Sequence, residues 1–576
     1  MQHKLISNVD KIIYISHINY YRFFVFITKY LRADLPSVLS GDKLGMIDPH
    51  QHFFAASSHG WNISKSKDLL RTIRNQLDPY IGLFDCTEAT FRQGYYNGTM
   101  FRFPLRNSPS SLSGSLYTPD RVKALFESFR NDSHLTMIFL RNLEKIEIYE
   151  RDRLASTPKL CCCVKIHGSC IEEVRQKRKE FLEKTRTGSW LDRPIANSYV
   201  ISVESTTYPE VRGPPTSVVD RFLVTNYYCG GSMSAVFRNL HQDTELNYLP
   251  CVGTAMPLNL KMSDQEFYSL TDGDGHVFCF LPLPLEQNSS TGLPVHINGF
   301  FALEQNRKYI KWPGSYKSRS DLMDKRLLWN QCLLKEALPK AYASMILEAI
   351  RMNSSSVGDQ IVSIAAVYRA FPDFSKVDRK WECMLPILFA ELFKYPVVFT
   401  GAEGGQWIEA RQAVFNTIAA DDEATKVVLD ILTNGRVKVV DVPDHVLQAI
   451  KKCCRINLNV INAAIVAGAY REVQSELSLP WEDKMKLLRY LLLQPKYELL
   501  DGLALLPLAN GGFNVFHYNP KKADRPIYIS TSAELCRLLP GLDDDLLEMD
   551  IDKDIKKMLI KAASKGKHKL CSNSDP

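Results

Sequence analysis

Apolar and polar positions in the first quarter of the chain follow a pattern that predicts strands joined by tight turns. In residues 95–106, apolar side chains follow an Asn97-Gly98 pair, and the run is closed by Pro104. Asn-Gly favours a hairpin turn, and proline is typical of a strand edge or end. The pattern therefore predicts a hairpin turn that enters a strand. A second strand is predicted over residues 43–48.

Helical spacing alternates with these strands. Thr118 can cap a helix and Pro119 is tolerated in its first turn, so we expect a helix to begin there and to end near Asp132. A further helix is predicted over residues 66–77. Two strands, 136–140 and 145–149, then follow. This order of strands and helices predicts an α+β unit.

The remaining pattern divides near residue 324. Before it, we predict a charged helix over 172–186 and several strands: 198–205, 220–228, 277–281 and, after an Asn298-Gly299 turn, 300–303. After it, helices dominate, and Pro339 interrupts a long apolar face. Residues 396–407 and 505–513 each read as an apolar strand, a Gly-Gly turn and an aromatic return. These hairpins predict a helix-rich region of repeated units, a shape that typically offers protein-binding surface.

Composition narrows the classes of function. The 576 residues are 45% hydrophobic, and 71 basic against 64 acidic residues leave a net charge of +7. This excess is spread along the chain without a basic stripe, so nucleic acid is not an implied partner. Charged and polar residues break the apolar run 12–31, so no membrane span is expected. The 14 cysteines are too few for a disulfide scaffold, which favours a reducing, cytoplasmic location.

Several segments, in this order, resemble the sacsin family. They are Asp34-Leu-Pro-Ser, Ser40-Gly-Asp-Lys-Leu, Asp48-Pro-His, Asn97-Gly-Thr-Met-Phe-Arg-Phe-Pro-Leu-Arg, Glu147-Ile-Tyr-Glu-Arg, Thr291-Gly-Leu-Pro-Val-His-Ile-Asn-Gly-Phe-Phe, Asn306-Arg-Lys-Tyr-Ile-Lys-Trp-Pro and Leu328-Trp-Asn-Gln-Cys-Leu-Leu. Sacsins are giant intracellular proteins with repeated modules, each opening with an ATPase-type domain similar to the N-terminal domain of Hsp90 chaperones. The resemblance covers about residues 34–516.

The resemblance implies an α+β fold of three parts. These are a partial Hsp90-like (Bergerat-type) ATPase domain, an α/β middle domain, and a helix-rich region with β-hairpins. The corresponding boundaries are 1–33 for an atypical lead-in, 34–155, 156–320 and 321–540 for the three parts, and 541–576 for a charged tail. We expect the first domain to be truncated at its N-terminus.

Most of the nucleotide-binding pattern of this ATPase class is missing. The class uses a Glu-x-x-x-Asn helix, an Asp-x-Gly strand and a glycine-rich lid; the chain has no Asp-x-Gly, and its Glu127-x-x-x-Asn131 falls where the family pattern does not place it. Gly98-Thr99 resembles the late Gly-Thr that reaches adenine, and is interpreted as a vestigial nucleotide contact. A strand threonine with a structural role is the favoured alternative for Thr99.

The middle domain of Hsp90-like proteins extends a basic side chain to the γ-phosphate. Arg307 and Lys308 are the candidates for this phosphate contact, and a solvated basic loop is the alternative. One contact cannot hold ATP without phosphate-binding amides and a metal ligand. We therefore expect no cofactor and no ATPase activity for this chain, with ATP and magnesium bound only if the missing half is supplied.

Other chemistries have weaker support. Cys161, Cys162, Cys163, His167 and Cys170 are crowded, but their spacing lacks a second Cys-x-x-Cys or His pair, so no metal site is predicted. No Gly-x-Ser-x-Gly is present, which disfavours a hydrolase of that class. The chain also has no His-Pro-Asp tripeptide, so the J-domain of full-length sacsins is not expected here.

The sequence thus predicts a sacsin-like chaperone or co-chaperone module that acts in protein folding and quality control by binding client proteins. Hsp70-type chaperones are a further expected partner class. One alternative is an active Hsp90-like ATPase whose N-terminal half is missing from the sequence. Another is a different ATPase-fold relative linked to DNA repair or chromatin.

Overall fold

The computed structural model has an α+β fold with two compact units. The first comprises Met1–Glu348 and Lys376–Met384, and the second comprises Ala349–Ser375 and Leu385–Pro576. The structure describes residues 10–15, 35–48, 51, 54–66, 68–105, 108–109, 116, 118–151, 157–187, 193–209, 213–258, 261–263, 266–268, 275–283, 290–305, 309–313, 324–355, 362–419, 423–453, 458–494, 496–517, 527–529, 544, 546–548, 550–565 and 570–572. Within these ranges, no helix has the length and apolar character needed to cross a membrane.

The first unit combines long strands with a few helices. Its strands are β1 (Asp10–Ile15), β2 (Ser37–Gly41), β3 (Lys43–Ile47), β4 (Ser58–Asn62), β5 (Tyr96–Arg102), β6 (Lys145–Arg151), β7 (Lys159–Ile166), β8 (Ile195–Thr207), β9 (Thr216–Tyr228), β10 (Cys251–Pro257), β11 (Lys261–Ser263), β12 (Glu266–Tyr268), β13 (Val277–Cys279), β14 (Leu281–Pro282) and β15 (His296–Gly299). Its helices are α1 (Leu69–Thr72), α2 (Arg74–Leu77), α3 (Glu88–Gln93), α4 (Pro119–Thr136), α5 (Ile171–Thr187), α6 (Ala235–Gln242), α7 (Lys325–Cys332) and the start of α8 (Leu338–Ser354).

Two sheets organise this unit. Nine strands pair in the order β1-β6-β7-β8-β9-β10-β15-β13-β14, and four pair in the order β4-β3-β2-β5. Of the described strand pairs in the larger sheet, only β13 and β15 are parallel neighbours. Its core is apolar, with Val164, Ile201 and Val224 fully buried. The smaller sheet has its own core, which includes Leu39 and Met100.

The predicted hairpin turn at Asn97-Gly98 is wrong. Both residues lie inside β5, which pairs antiparallel with β2. The chain instead changes direction at Gly94, where φ is +77° at the end of α3. A side chain at Gly94 would place its Cβ 2.4 Å from the Cα of Ser64, so both the conformation and the space require glycine. The predicted strand itself is confirmed.

The predictions around it had mixed outcomes. The helix start is confirmed, because the side chain of Thr118 accepts a hydrogen bond from the Arg121 backbone N–H at 3.4 Å. That helix continues to Thr136, so the predicted end near Asp132 is too early and the strand over 136–140 is wrong. The predicted helix over 66–77 is two short helices that meet at Ile73.

Further along, the strands predicted over 145–149, 198–205 and 220–228 and the helix over 172–186 are confirmed. The strand predicted over 277–281 forms as β13 and β14, with a break between them. The turn at Asn298-Gly299 is wrong, because both residues belong to β15, and the strand expected over 300–303 is reduced to one bridge from Leu303.

Pro339 does not end the helical run. A π turn over Leu333–Ala337 joins α7 to α8 immediately before it. Proline has no N–H and its ring crowds the carbonyl one turn earlier. The wider π turn lets the helical path continue past this residue.

The second unit is richer in helices. Its strands are β16 (Val398–Thr400), β17 (Gln406–Ile408), β18 (Val414–Phe415), β19 (Val439–Val440), β20 (Asn459–Val460), β21 (Leu506–Pro507), β22 (Phe513–Asn514), β23 (Ile527–Ile529) and β24 (Leu570–Ser572). Its helices, after the end of α8, are α9 (Ile364–Arg369), α10 (Leu385–Leu392), α11 (Thr425–Asn434), α12 (Asp444–Cys453), α13 (Ala463–Val473), α14 (Trp481–Leu492) and α15 (Lys553–Lys565).

Both hairpins predicted in this unit are confirmed. Strands β16 and β17 pair antiparallel, as do β21 and β22. The first hairpin is part of a five-stranded sheet in the order β17-β16-β19-β18-β20. The helices α11, α13 and α14 pack their apolar faces into one large core.

The predicted domain boundaries stay predictions, with two observations bearing on them. Within the predicted lead-in, Asp10–Ile15 forms β1 and pairs with β6, a strand that the sequence analysis missed. The boundary at residue 155 lies between β6 and β7, which are paired neighbours in the nine-stranded sheet.

Candidate functional site

Gly98 and Thr99 lie on β5, next to β2. The hydroxyl oxygens of Thr99 and Ser40 are 2.7 Å apart and share a hydrogen bond across the two strands. Thr99 is half-buried and Gly98 is exposed. A cross-strand hydroxyl pair of this kind is a common stabilising contact in antiparallel sheets. The predicted vestigial nucleotide contact therefore has a structural partner inside the sheet.

The neighbouring polar groups of this sheet are also engaged. The Oγ of Ser37 and the hydroxyl of Tyr80 lie 2.6 Å apart, and both residues are buried. Burial raises the pKa of Tyr80 to about 12, because the charged phenolate would lose its solvation. This pair binds β2 to the segment that follows α2.

The two other predicted site residues cannot be placed beside Thr99. Arg307 and Lys308 lie outside the described residues, so a phosphate contact there stays a prediction. The cysteine-rich segment is described: Cys162 is buried in β7, and burial raises the pKa of its thiol to about 11. No group of three or more His, Cys, Asp or Glu residues in the described part of the chain is arranged to hold a metal ion.

A different site lies along one edge of β8. Only its last five residues, from Val203 to Thr207, pair with β7. The preceding part, from Ile195 to Ser202, continues past the end of β7 while remaining paired with β9 on its other side. Among the residues that the structure describes, this half of β8 therefore has no neighbouring strand on one edge.

The contacts of Ser202 show which residues face that edge. Its carbonyl accepts a hydrogen bond from the His167 backbone N–H at 2.8 Å, and its own N–H points to the Cys170 sulfur at 3.3 Å. Because backbone direction alternates along a strand, the N–H and C=O groups of Val200, Ser198 and Ala196 point the same way. The structure gives these three residues no outward backbone partner among the described residues.

Helices flank this edge on both faces of the sheet. On one face lies α5, whose Arg178 donates a hydrogen bond to the Tyr199 hydroxyl at 3.3 Å. On the other lies α8, whose Ala341 carbonyl accepts from the Thr254 hydroxyl at 3.5 Å. The β8 edge thus lies at the base of a groove between two helices.

The groove has a volume of about 340 Å³ and a polar lining. Its lining residues are Lys177, Glu180 and Lys184 of α5, Ala196, Asn197 and Ser198 of β8, and Ser344 and Glu348 of α8. The buried Oδ1 of Asn197 has no hydrogen-bond partner in the described part of the chain. Sequence reasoning missed this site because it depends on where β7 stops relative to β8. No local motif records that offset.

Comparisons with known proteins agree with the resemblance seen in the sequence. The model of the Sacsin domain matches residues 24–162. Sacsin of Homo sapiens is 32% identical over 516 residues, which is 89% of this chain. The chain spans 11% of the length of that protein. An identity of this level along nearly the whole chain shows that it belongs to the sacsin family.

Proposed function

We propose that this chain is a chaperone or co-chaperone module that binds client proteins in protein quality control. The observation that carries the proposal is the groove at the β8 edge. Its base presents main-chain donors and acceptors, and polypeptide is the ligand class that supplies matching groups in a row. Its lining lysines, Lys177 and Lys184, are balanced by Glu180 and Glu348, so the groove lacks the positive charge that a triphosphate needs.

We also propose that the chain by itself does not hydrolyse ATP. Two features support this: the sequence lacks most of the nucleotide-binding pattern, and the Thr99 hydroxyl is hydrogen-bonded to Ser40. The four-stranded sheet followed by α4 supports the interpretation of residues 34–155 as the C-terminal part of an Hsp90-like ATPase domain. Hsp70-type chaperones as partners and a cytoplasmic location belong to the same proposal, on the family resemblance and the cysteine content.

Light scattering from reduced, unfolded lysozyme diluted out of denaturant tests client binding. We expect the chain to suppress aggregation near stoichiometric amounts, equally with and without magnesium ATP. An equal amount of serum albumin serves as the control for non-specific crowding. Unchanged scattering in the presence of the chain would contradict the client-binding proposal.

Calorimetric titration with magnesium ATP separately tests the proposal that the chain does not hydrolyse ATP. We expect no micromolar binding, since one threonine contact cannot offset the charge of the triphosphate. Micromolar binding would instead favour an active ATPase.

A further inference from the structure

The open edge of β8 has a geometry suited to one kind of occupant. Ala196, Ser198 and Val200 direct their backbone N–H and C=O groups away from β9, with which the strand is fully paired. Ala196 and Ser198 also line the groove. An unpaired strand edge is a template for another extended chain. Natural sheets usually cover such edges or interrupt them with charge or proline, whereas Ala196–Val200 contains neither.

We propose that an extended segment of an unfolded client chain adds to this edge as an extra strand, between α5 and α8. This inference rests on the proposed function and names how its client is held. The groove between the helices reaches Ala196, Asn197 and Ser198, where a single extended strand can approach the edge. Antiparallel addition is expected, because both existing neighbours of β8 pair with it in that direction.

The two faces of the sheet give the occupant a side-chain preference. Asn197 and Tyr199 face α5, so alternation places Ser198 and Val200 on the α8 side. The Ser198 hydroxyl lies 2.8 Å from that of Thr225. Thr225 in turn pairs with Thr254, the residue that contacts α8. The side chains of an added strand therefore also alternate between the helices. Those facing α5 meet Lys177 and Lys184, with Glu180 between them, so acidic residues are favoured there.

The same geometry determines which backbone groups of the client form hydrogen bonds with β8. In an antiparallel pair, residues that exchange hydrogen bonds have side chains on the same face of the sheet. Client residues that donate to β8 are therefore those whose side chains face α8. Client residues that face α5 direct their N–H groups away from β8.

A fluorescein-labelled heptapeptide, Thr-Glu-Val-Glu-Thr-Glu-Val, is the probe, with binding to the full chain followed by anisotropy. N-methylation of the central Val and Thr, which face α8, is expected to weaken binding about tenfold or more by removing donors and crowding the edge. N-methylation of the Glu residues is expected to change it by less than about threefold. The reverse selectivity would indicate parallel addition. No binding of the unmodified peptide, or an equal loss with both modified peptides, overturns strand addition.

Val200→Pro locates the site on the protein. It removes one outward N–H and leaves the β8–β9 ladder intact, so binding should fall about tenfold. The matched control is Val200→Ala, which shortens the same side chain but keeps its backbone N–H, and which should bind the peptide like wild type. Thermal unfolding of both variants checks their folding. Equal binding by Val200→Pro and wild type overturns the assignment to β8.

The two proposals fail in different ways. If the wild-type chain suppresses lysozyme aggregation but shows no N-methyl selectivity, strand addition is wrong and client binding stands. If the chain neither suppresses aggregation nor binds the peptide, both proposals are wrong.

The double variant Lys177→Glu and Lys184→Glu tests the role of α5. It is expected to bind the Lys counterpart of the peptide more tightly than the Glu peptide, and an unchanged preference would contradict the role of α5.

Discussion

The polar groups around Thr99 on β5 have hydrogen-bond partners, whereas those along the open edge of β8 have none among the described residues. On β5, the Thr99 hydroxyl meets Ser40 at 2.7 Å, and nearby Ser37 and Tyr80 are paired at 2.6 Å. On β8, Ala196, Ser198 and Val200 direct backbone groups to the open edge with no partner among the described residues, and the buried Oδ1 of Asn197 has none there either. Satisfied polar groups stabilise a fold, whereas unsatisfied ones at an accessible edge are available to a ligand. The difference moves the candidate site from β5 to β8.

The largest expected effect is a dependence of stability on pH that differs between the two sheets. His296 of β15 is buried, and desolvation with nearby His276 and His134 lowers its pKa to about 3. Its depressed pKa means that the unfolded chain binds a proton more readily. Stability of the nine-stranded sheet is therefore complete above the ordinary histidine pKa of about 6.5 and falls as pH drops toward 3, by at most about 1.4 kcal/mol per pH unit.

The four-stranded sheet should respond to alkali instead. Because the pKa of Tyr80 is raised to about 12, its contribution is complete below pH ~10 and is lost as pH rises toward 12. Both pH dependences are measured by urea unfolding. Hydrogen exchange at the paired strands β10 and β15 reports on the larger sheet, and exchange at β2 and β5 reports on the smaller one. The variant His296→Gln should remove most of the fall in stability at acid pH. The control variant His59→Gln, on the exposed strand β4, should keep this fall because His296 is still present. An acid slope retained in His296→Gln would contradict this assignment.

A smaller effect is expected from the buried pair in the four-stranded sheet. Tyr80→Phe leaves the Ser37 hydroxyl buried without its partner, which should cost about 1–3 kcal/mol of unfolding free energy in urea titration. The double variant with Ser37→Ala removes the orphaned group and should recover part of that loss. If Tyr80→Phe is as stable as wild type, the pair does not stabilise the sheet.

The smallest effect is expected at Thr99. Thr99→Val replaces the hydroxyl by a methyl group of similar size and should cost about 0.5–1.5 kcal/mol. A double-mutant cycle with Ser40→Ala measures the coupling directly. Peptide binding and aggregation suppression should not change. A loss of client binding in Thr99→Val would return the functional site to β5.

Local signals in the sequence predicted local structure well. Thr118 and Pro119 marked the start of α4, because capping needs only adjacent residues. The Gly-Gly pairs marked both hairpins of the second unit. Two of the Asn-Gly pairs misled in the same way, since Asn97-Gly98 and Asn298-Gly299 both lie in strands that distant partners hold extended.

Local signals of this kind could not predict the candidate site. The segment around Thr99 was recognisable as a family motif, but its hydrogen-bond partner, Ser40, is 59 positions away. The β8 edge is exposed only because β7 ends opposite Val203, and the groove also needs α8, nearly 150 residues further on. Offsets between distant elements are set by tertiary packing, which a periodic pattern in one segment does not encode.

Strand addition to β8 is tested most directly by the anisotropy titration with the two N-methylated peptides. We expect methylation of the α8-facing Val and Thr to weaken binding about tenfold or more, and methylation of the Glu residues to change it less than about threefold. Equal affinity for both modified peptides would contradict recognition through the backbone of β8.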